Sequence, residues 1–172
     1  MESPLADKLL GIPEIEIRRI GSLPVPDTDV VETGPQAVLP LLREILHGRE
    51  QESFIMLLLD ARNRVMAWRE VSRGSYNSVQ VPVRDMFRTA LVVGCAGVLI
   101  SHNHPSGDPK PSEADKMLTS AVRAAGELLQ LPVVDHIIVG DGERYYSFAN
   151  GGASLTSMTP LSSGPRQGPE LD

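Results

Sequence analysis

The chain switches between continuous apolar runs and stretches in which apolar residues recur three or four positions apart. "PQAVLPLLREILH" (35–47) follows the second pattern, with Val38, Leu41, Leu42, Ile45 and Leu46 at helical spacing. "SFIMLLLD" (53–60) is a continuous apolar run whose length suits a strand buried on both faces. After the turn "ARNR", "VMAWREVS" (65–72) reads as a second strand, more mixed in polarity. "VQVPV" (79–83) reads as a short edge strand, because Pro82 cannot donate to a ladder. "RDMFRTALVVG" (84–94) places Met86, Phe87, Ala90 and Leu91 on one helical face, and "AGVLIS" (96–101) is another buried strand.

A long amphipathic helix is predicted for "SEADKMLTSAVRAAGELLQL" (112–131), with Ala114, Met117, Leu118, Ala121, Val122, Ala125, Leu128 and Leu129 along one side. "VVDHIIVG" (133–140) and "RYYSFA" (144–149) supply the last strands. Helices interleaved with strands in this order predict one α/β domain over residues 35–150, a mixed sheet flanked by helices. Residues 1–34 mix prolines and acids and read as a partly ordered arm with a short strand at Ile15–Ile20. Residues 151–172, rich in Gly, Ser and Pro, read as a flexible tail.

Composition narrows the function classes. A chain of 172 residues, 41% hydrophobic and 22% charged, suits a single globular domain. The net charge of -6 and scarce aromatics give little support to direct nucleic-acid binding. Cys95 is the single cysteine, in the apolar "VVGCAGVLI", so an intrachain disulfide framework and a cysteine-rich zinc site are excluded. For the same reason a nucleobase deaminase, which needs a Pro-Cys-x-x-Cys pair, is disfavoured. No apolar run is long enough to span a membrane, and a cytoplasmic protein is expected.

The candidate chemistry lies in "VLISHNHPSGDPKPSEAD" (98–115). Strand period two sends His102 and His104 to one side and Asn103 to the other, just past the carboxyl end of a buried strand. A proline-stiffened loop then leads to Asp115 in the first turn of the next helix. Two imidazoles and a carboxylate are the three protein ligands of a catalytic zinc site. The same residues also read as a plain strand, turn and capped helix, since Ser112 and Asp115 form a capping-box pattern.

His102-x-His104, ten residues, then Asp115, with Ser112 three before it, resembles the JAMM motif of the JAB/MPN metalloprotease superfamily. "SHNHPSGDPKPSEAD" with the downstream "VVDHIIVGDGERYYSFANGG" is similar to the RadC-type bacterial branch, and the likeness runs from about Pro35 to Gly152. It implies a JAB/MPN-like domain with zinc on His102, His104 and Asp115. It also implies a glutamate general base ahead of the first strand, which falls on Glu52; Glu70 is the rival, and Glu50 leaves before the strand begins. Ser112 would donate to the tetrahedral oxyanion. Asp135 is a possible acceptor orienting a ligand histidine, His136 reads as a structural histidine, and His47 ends a helix whose dipole it complements. Gly74 and Arg84 match family segments, although "PVRD" departs from the family's Pro-Arg-Glu.

The expected activity is a zinc-dependent hydrolase, a metallopeptidase or isopeptidase acting on a peptide or ubiquitin-like protein. The alternative is a DNA-repair-associated protein with metal-dependent nuclease activity or a non-catalytic, partner-binding role. Many RadC-type chains carry a helix-hairpin-helix region, and residues 1–34 show no recognisable hairpin of that kind.

Overall fold

The computed structural model describes residues 34–74 and 83–151. The proposed arm with its strand at 15–20, the tail, and positions 79–82 of the expected edge strand lie outside them; Val83 opens a helix instead.

A short 3₁₀ turn at Pro35–Ala37 leads into α1 (Leu39–Leu46). Pro40 is tolerated there because the first turn of a helix has no intrahelical partner for its N–H. The strands are β1 (Ser53–Leu59), β2 (Val65–Arg73), β3 (Gly97–Asn103), β4 (Val133–Val139) and β5 (Tyr145–Ser147). α2 (Val83–Val93) precedes β3, and α3 (Glu113–Leu128) joins β3 to β4. The five strands form one mixed sheet in the order β2-β1-β3-β4-β5. Only β3 and β4 are parallel among the neighbours, and parallel pairing is what requires the long crossover through α3.

All seven residues of β1 are buried because each face of the sheet is covered. Ile55, Leu57 and Leu59 pack with Leu42, Ile45 and Leu46 of α1 on one face. Phe54, Met56 and Leu58 pack with Met86, Phe87, Leu118 and Val122 of α2 and α3 on the other. The apolar run is thus two interleaved period-two patterns. Each fully buried leucine, such as Leu57, contributes about 1.5–3 kcal/mol through burial.

The β1–β2 turn is closed by Asp60, whose Oδ1 accepts from the backbone N–H groups of Arg62 at 2.8 Å and Arg64 at 3.0 Å. Gly126 lets α3 approach the chain leading into β4: a Cβ there would lie 2.6 Å from the Leu131 carbonyl oxygen.

Two helical faces differ from expectation. Leu91 is exposed, so the buried face of α2 is Met86, Phe87 and Ala90. On α3, Met117, Ala121 and Leu128 are exposed, as is Leu129 just past its end. The buried line is Asp115, Leu118, Thr119, Val122 and Gly126. It includes two polar residues because this helix covers the polar site as well as the core. Among the described residues no helix is long and apolar enough to cross a membrane.

Candidate metal centre

Antiparallel pairing places Phe54 opposite His102. The neighbouring Ser53 N–H donates to Asn103 Oδ1 at 2.8 Å, so the strands stay together at this end. Stepping two residues outward on the same face brings Glu52 to the level of His104. The crossover helix then sets Asp115 over both histidines. The ligand atoms of Glu52, His102, His104 and Asp115 all lie within 4.8 Å of one another. His102 Nε2 and His104 Nε2 are 3.1 Å apart. Asp115 Oδ1 is 3.3 Å from His102 Nε2, and Oδ2 is 3.6 Å from His104 Nε2. Glu52 Oε1 is 3.8 Å from His102 Nε2. β3 runs on to Asn103, so His102 stands inside the strand rather than just beyond it.

The donor set suits a cation. His104 Nδ1 lies 2.7 Å from the Asp108 carbonyl oxygen. A carbonyl only accepts, so Nδ1 carries the hydrogen and the neutral ring turns a bare Nε2 toward His102. With zinc–nitrogen bonds of 2.0–2.1 Å, two ligands of a tetrahedral ion sit about 3.3 Å apart, close to the spacing of the two nitrogens. Nitrogen and carboxylate donors in this number match zinc in kind.

The charges of these groups also bear on one another. Burial works against the Asp115 charge, yet hydrogen bonding to the two histidines, attraction from His102 and the Ser112 hydrogen bond hold its carboxyl well below the usual range. Burial pushes the Glu52 carboxyl up, the histidines oppose that, and the Asp115 charge adds to it. Hydrogen bonding to Asp115 raises His104, against the effect of burial.

Ser112 caps α3 reciprocally. Its Oγ accepts from the Asp115 N–H at 3.2 Å, and Asp115 Oδ2 accepts from the Ser112 N–H at 2.7 Å. The Ser112 hydroxyl also lies 2.6 Å from Asp115 Oδ2, so its hydrogen is engaged there. Cap and site therefore share one carboxylate.

Other candidates fall elsewhere. Glu70 pairs with Ile55 after a bulge and so faces the opposite side of the sheet. There it binds Arg49 at 2.7 Å and Arg73 at 2.6 Å, and its pKa is lowered to about 2. Asp135 touches neither proposed ligand histidine. It accepts from the His136 N–H at 2.7 Å, the Ala149 N–H at 2.9 Å and the Ser147 hydroxyl at 2.6 Å, fastening β5 to β4. The partner of His102 is His136, whose Nε2 lies 2.9 Å from His102 Nδ1. His47 is the C-cap of α1, and the Gly74 N–H donates to the Glu52 carbonyl at 2.9 Å.

Sequence reasoning missed Asn103. Its side chain accepts from the Ser53 N–H and donates to the Gln51 carbonyl at 3.2 Å, clasping the segment that carries Glu52. The one available signal was an amide between two candidate ligands. A cleft of about 540 Å³ opens beside His104, Pro105, Asn103, His47 and Gly140; Glu52, His102 and Asp115 do not line it.

The RadC-like JAB domain matches residues 32–153. A UPF0758 protein of Syntrophotalea carbinolica is 44% identical over 135 residues, covering 78% of this chain and 59% of the relative. One from Herminiimonas arsenicoxydans is 42% identical over 123 residues, covering 72% and 54%. One from Methanosarcina mazei is 41% identical over 120 residues, covering 70% and 52%. The chain thus spans a little over half the length of these curated relatives. On the extent of the matched domain and this level of identity, the chain belongs to the RadC-like JAB domain family.

Proposed function

We propose that the chain is a zinc-dependent hydrolase of amide bonds, a metallopeptidase or isopeptidase whose substrate is a peptide or a ubiquitin-like protein. The observation that carries this reading is the convergence of His102 Nε2, His104 Nε2 and the Asp115 carboxylate, with Glu52 alongside. His102, His104 and Asp115 would hold the ion. Bound there, zinc supplies a Lewis acid that polarises a carbonyl and lowers the pKa of water from 15.7 to about 7.

The residues do the rest. Glu52, with its pKa raised by burial, accepts a proton from water at Oε1 and returns it to the leaving amine nitrogen. Ser112 donates to the developing oxyanion after its hydroxyl leaves Asp115 Oδ2. Asn103 holds the backbone beside Glu52, which fixes where the base stands. The cleft beside His104 offers room for substrate residues flanking the cut bond. A cytoplasmic setting suits the single buried cysteine.

The test is a panel of peptide, isopeptide-linked and DNA substrates offered to the zinc-loaded protein and to Glu52→Gln. Cleavage of an amide bond by the first alone supports the reading. Cleavage of DNA with no amide hydrolysis would replace it with a nuclease, and zinc binding without either activity would reduce the chain to a binding module.

A further inference from the structure

A buried polar chain leaves the far side of His102 and ends on Asp115. His102 Nδ1 lies 2.9 Å from His136 Nε2, and His136 Nδ1 lies 2.6 Å from Thr119 Oγ1. Thr119 Oγ1 in turn lies 2.6 Å from the Asp115 carbonyl oxygen. All four residues are buried, and among the described residues the His136 ring nitrogens meet no other hydrogen-bonding side chain. Phe54 stacks on His102 at 5.6 Å and 14°, and Phe148 on His136 at 4.9 Å and 8°. Those stacks hold the ring planes.

The hydrogens in this chain have one consistent arrangement when both imidazoles are neutral. The Asp115 carbonyl can only accept, so at 2.6 Å the Thr119 hydroxyl must point its single hydrogen at it. Thr119 Oγ1 is then an acceptor toward His136, which places the His136 hydrogen on Nδ1 and leaves Nε2 bare. The bare Nε2 accepts from His102, which places that hydrogen on Nδ1 and leaves His102 Nε2 bare, facing His104 and Asp115. Reversing any one link within the chain sets two lone pairs or two hydrogens face to face in a buried space, where an unmade hydrogen bond is costly. At its open end the bare His102 Nε2 meets the bare His104 Nε2 at 3.1 Å and Asp115 Oδ1 at 3.3 Å, a cluster of acceptors that a cation would bridge.

We propose that Thr119 and His136 are positioning residues that lock His102 in the tautomer able to bind a metal through Nε2. This builds on the metal centre proposed above. The chain starts on one proposed ligand and ends on the backbone of another, so the turn of α3 that presents Asp115 also sets the protonation of His102. Partners of this kind typically alter metal affinity 10- to 100-fold.

The experiment is ¹⁵N-histidine NMR of the full chain, metal-free, at about pH 8, where free imidazoles are neutral, together with zinc titration against a competing chelator. Wild type should carry the His102 hydrogen on Nδ1. Thr119→Val, near-isosteric but without the hydroxyl, should move it to Nε2 and weaken zinc binding 10- to 100-fold. Thr119→Ser should restore both, and His136→Gln, which keeps an acceptor facing His102, should bind more tightly than His136→Phe. A wild-type His102 protonated on Nε2 would overturn the proposal, even if Thr119→Val did not fold. So would a folded Thr119→Val with unchanged tautomer and affinity; if wild type bound zinc, the metal reading would survive that result. The expected tautomers in a protein that binds no zinc would uphold the relay and remove the metal reading.

Discussion

The Ser53 backbone N–H donates to the Asn103 side-chain oxygen at 2.8 Å, tying the residue next to Glu52 to the residue between the two histidines. That buried amide braces proposed base and proposed ligands, fifty positions apart in the chain, at the end of the β1–β3 pairing. Asn103→Leu removes the acceptor and leaves the Ser53 N–H unmet. We expect a stability loss of about 1–3 kcal/mol in urea unfolding. Zinc content should be retained, and activity should fall more than stability explains. Wild-type stability in this variant would show that the clasp is dispensable.

Glu52→Gln and Asp115→Ala should separate the two roles proposed for the carboxylates. The first should keep zinc and the fold while hydrolysis drops about 10²- to 10⁴-fold. The second should lose zinc, and stability as well, because Asp115 completes the Ser112 cap of α3. Zinc content and melting temperature, measured beside activity, decide this. Equal zinc loss in both variants would make Glu52 a fourth ligand.

Glu70 predicts a dependence on pH away from the site. Its pKa is lowered from 4.5 to about 2 by hydrogen bonds to Arg73 and Arg49, which outweigh burial. A depressed carboxyl stabilises the fold above its unfolded pKa and loses that contribution as pH falls through the folded value. Wild type should therefore exceed Glu70→Gln in stability by a constant margin from pH 7 to about 5, with the margin vanishing toward pH 2. Urea unfolding across that range measures it, and a margin independent of pH would contradict the assignment.

Gly107 has φ of +74°, and its N–H donates to the His104 carbonyl at 2.9 Å. It shapes the turn whose Asp108 carbonyl faces His104 Nδ1. Gly107→Ala should cost about 1–2 kcal/mol from the left-handed backbone alone, with the added Cβ also displacing the Asp141 carboxylate. Zinc affinity should weaken because the acceptor for His104 shifts. A chelator titration with unchanged affinity would show that His104 needs no such support.

The apolar runs announced the central strands, since burial on both faces leaves an unbroken pattern, and the His-x-His pair followed from strand period two. Glu52 was reachable only through family resemblance: what brings it to the histidines is the Phe54–His102 register, a long-range pairing that local pattern does not encode. Glu70 was a rival for the same reason, because the bulge that turns it to the other face leaves no mark in composition. On α3 the apolar stripe misled, since Thr119 and Gly126 are buried for a hydrogen bond and a close approach while Met117 and Leu128 face outward. Asp135 looked like the partner of a ligand histidine, yet His136 beside it has that contact. Two adjacent residues on a strand face opposite ways, and the choice between them depended on the pairing of β4 with β3.

The most direct measurement is the zinc content of the full chain after equilibration with zinc and dialysis against metal-free buffer, beside the double variant His102→Ala/His104→Ala. About one zinc per chain in wild type and none in the double variant is the predicted result. A wild-type protein without zinc, or equal zinc in the two, would contradict a metal centre built on His102, His104 and Asp115.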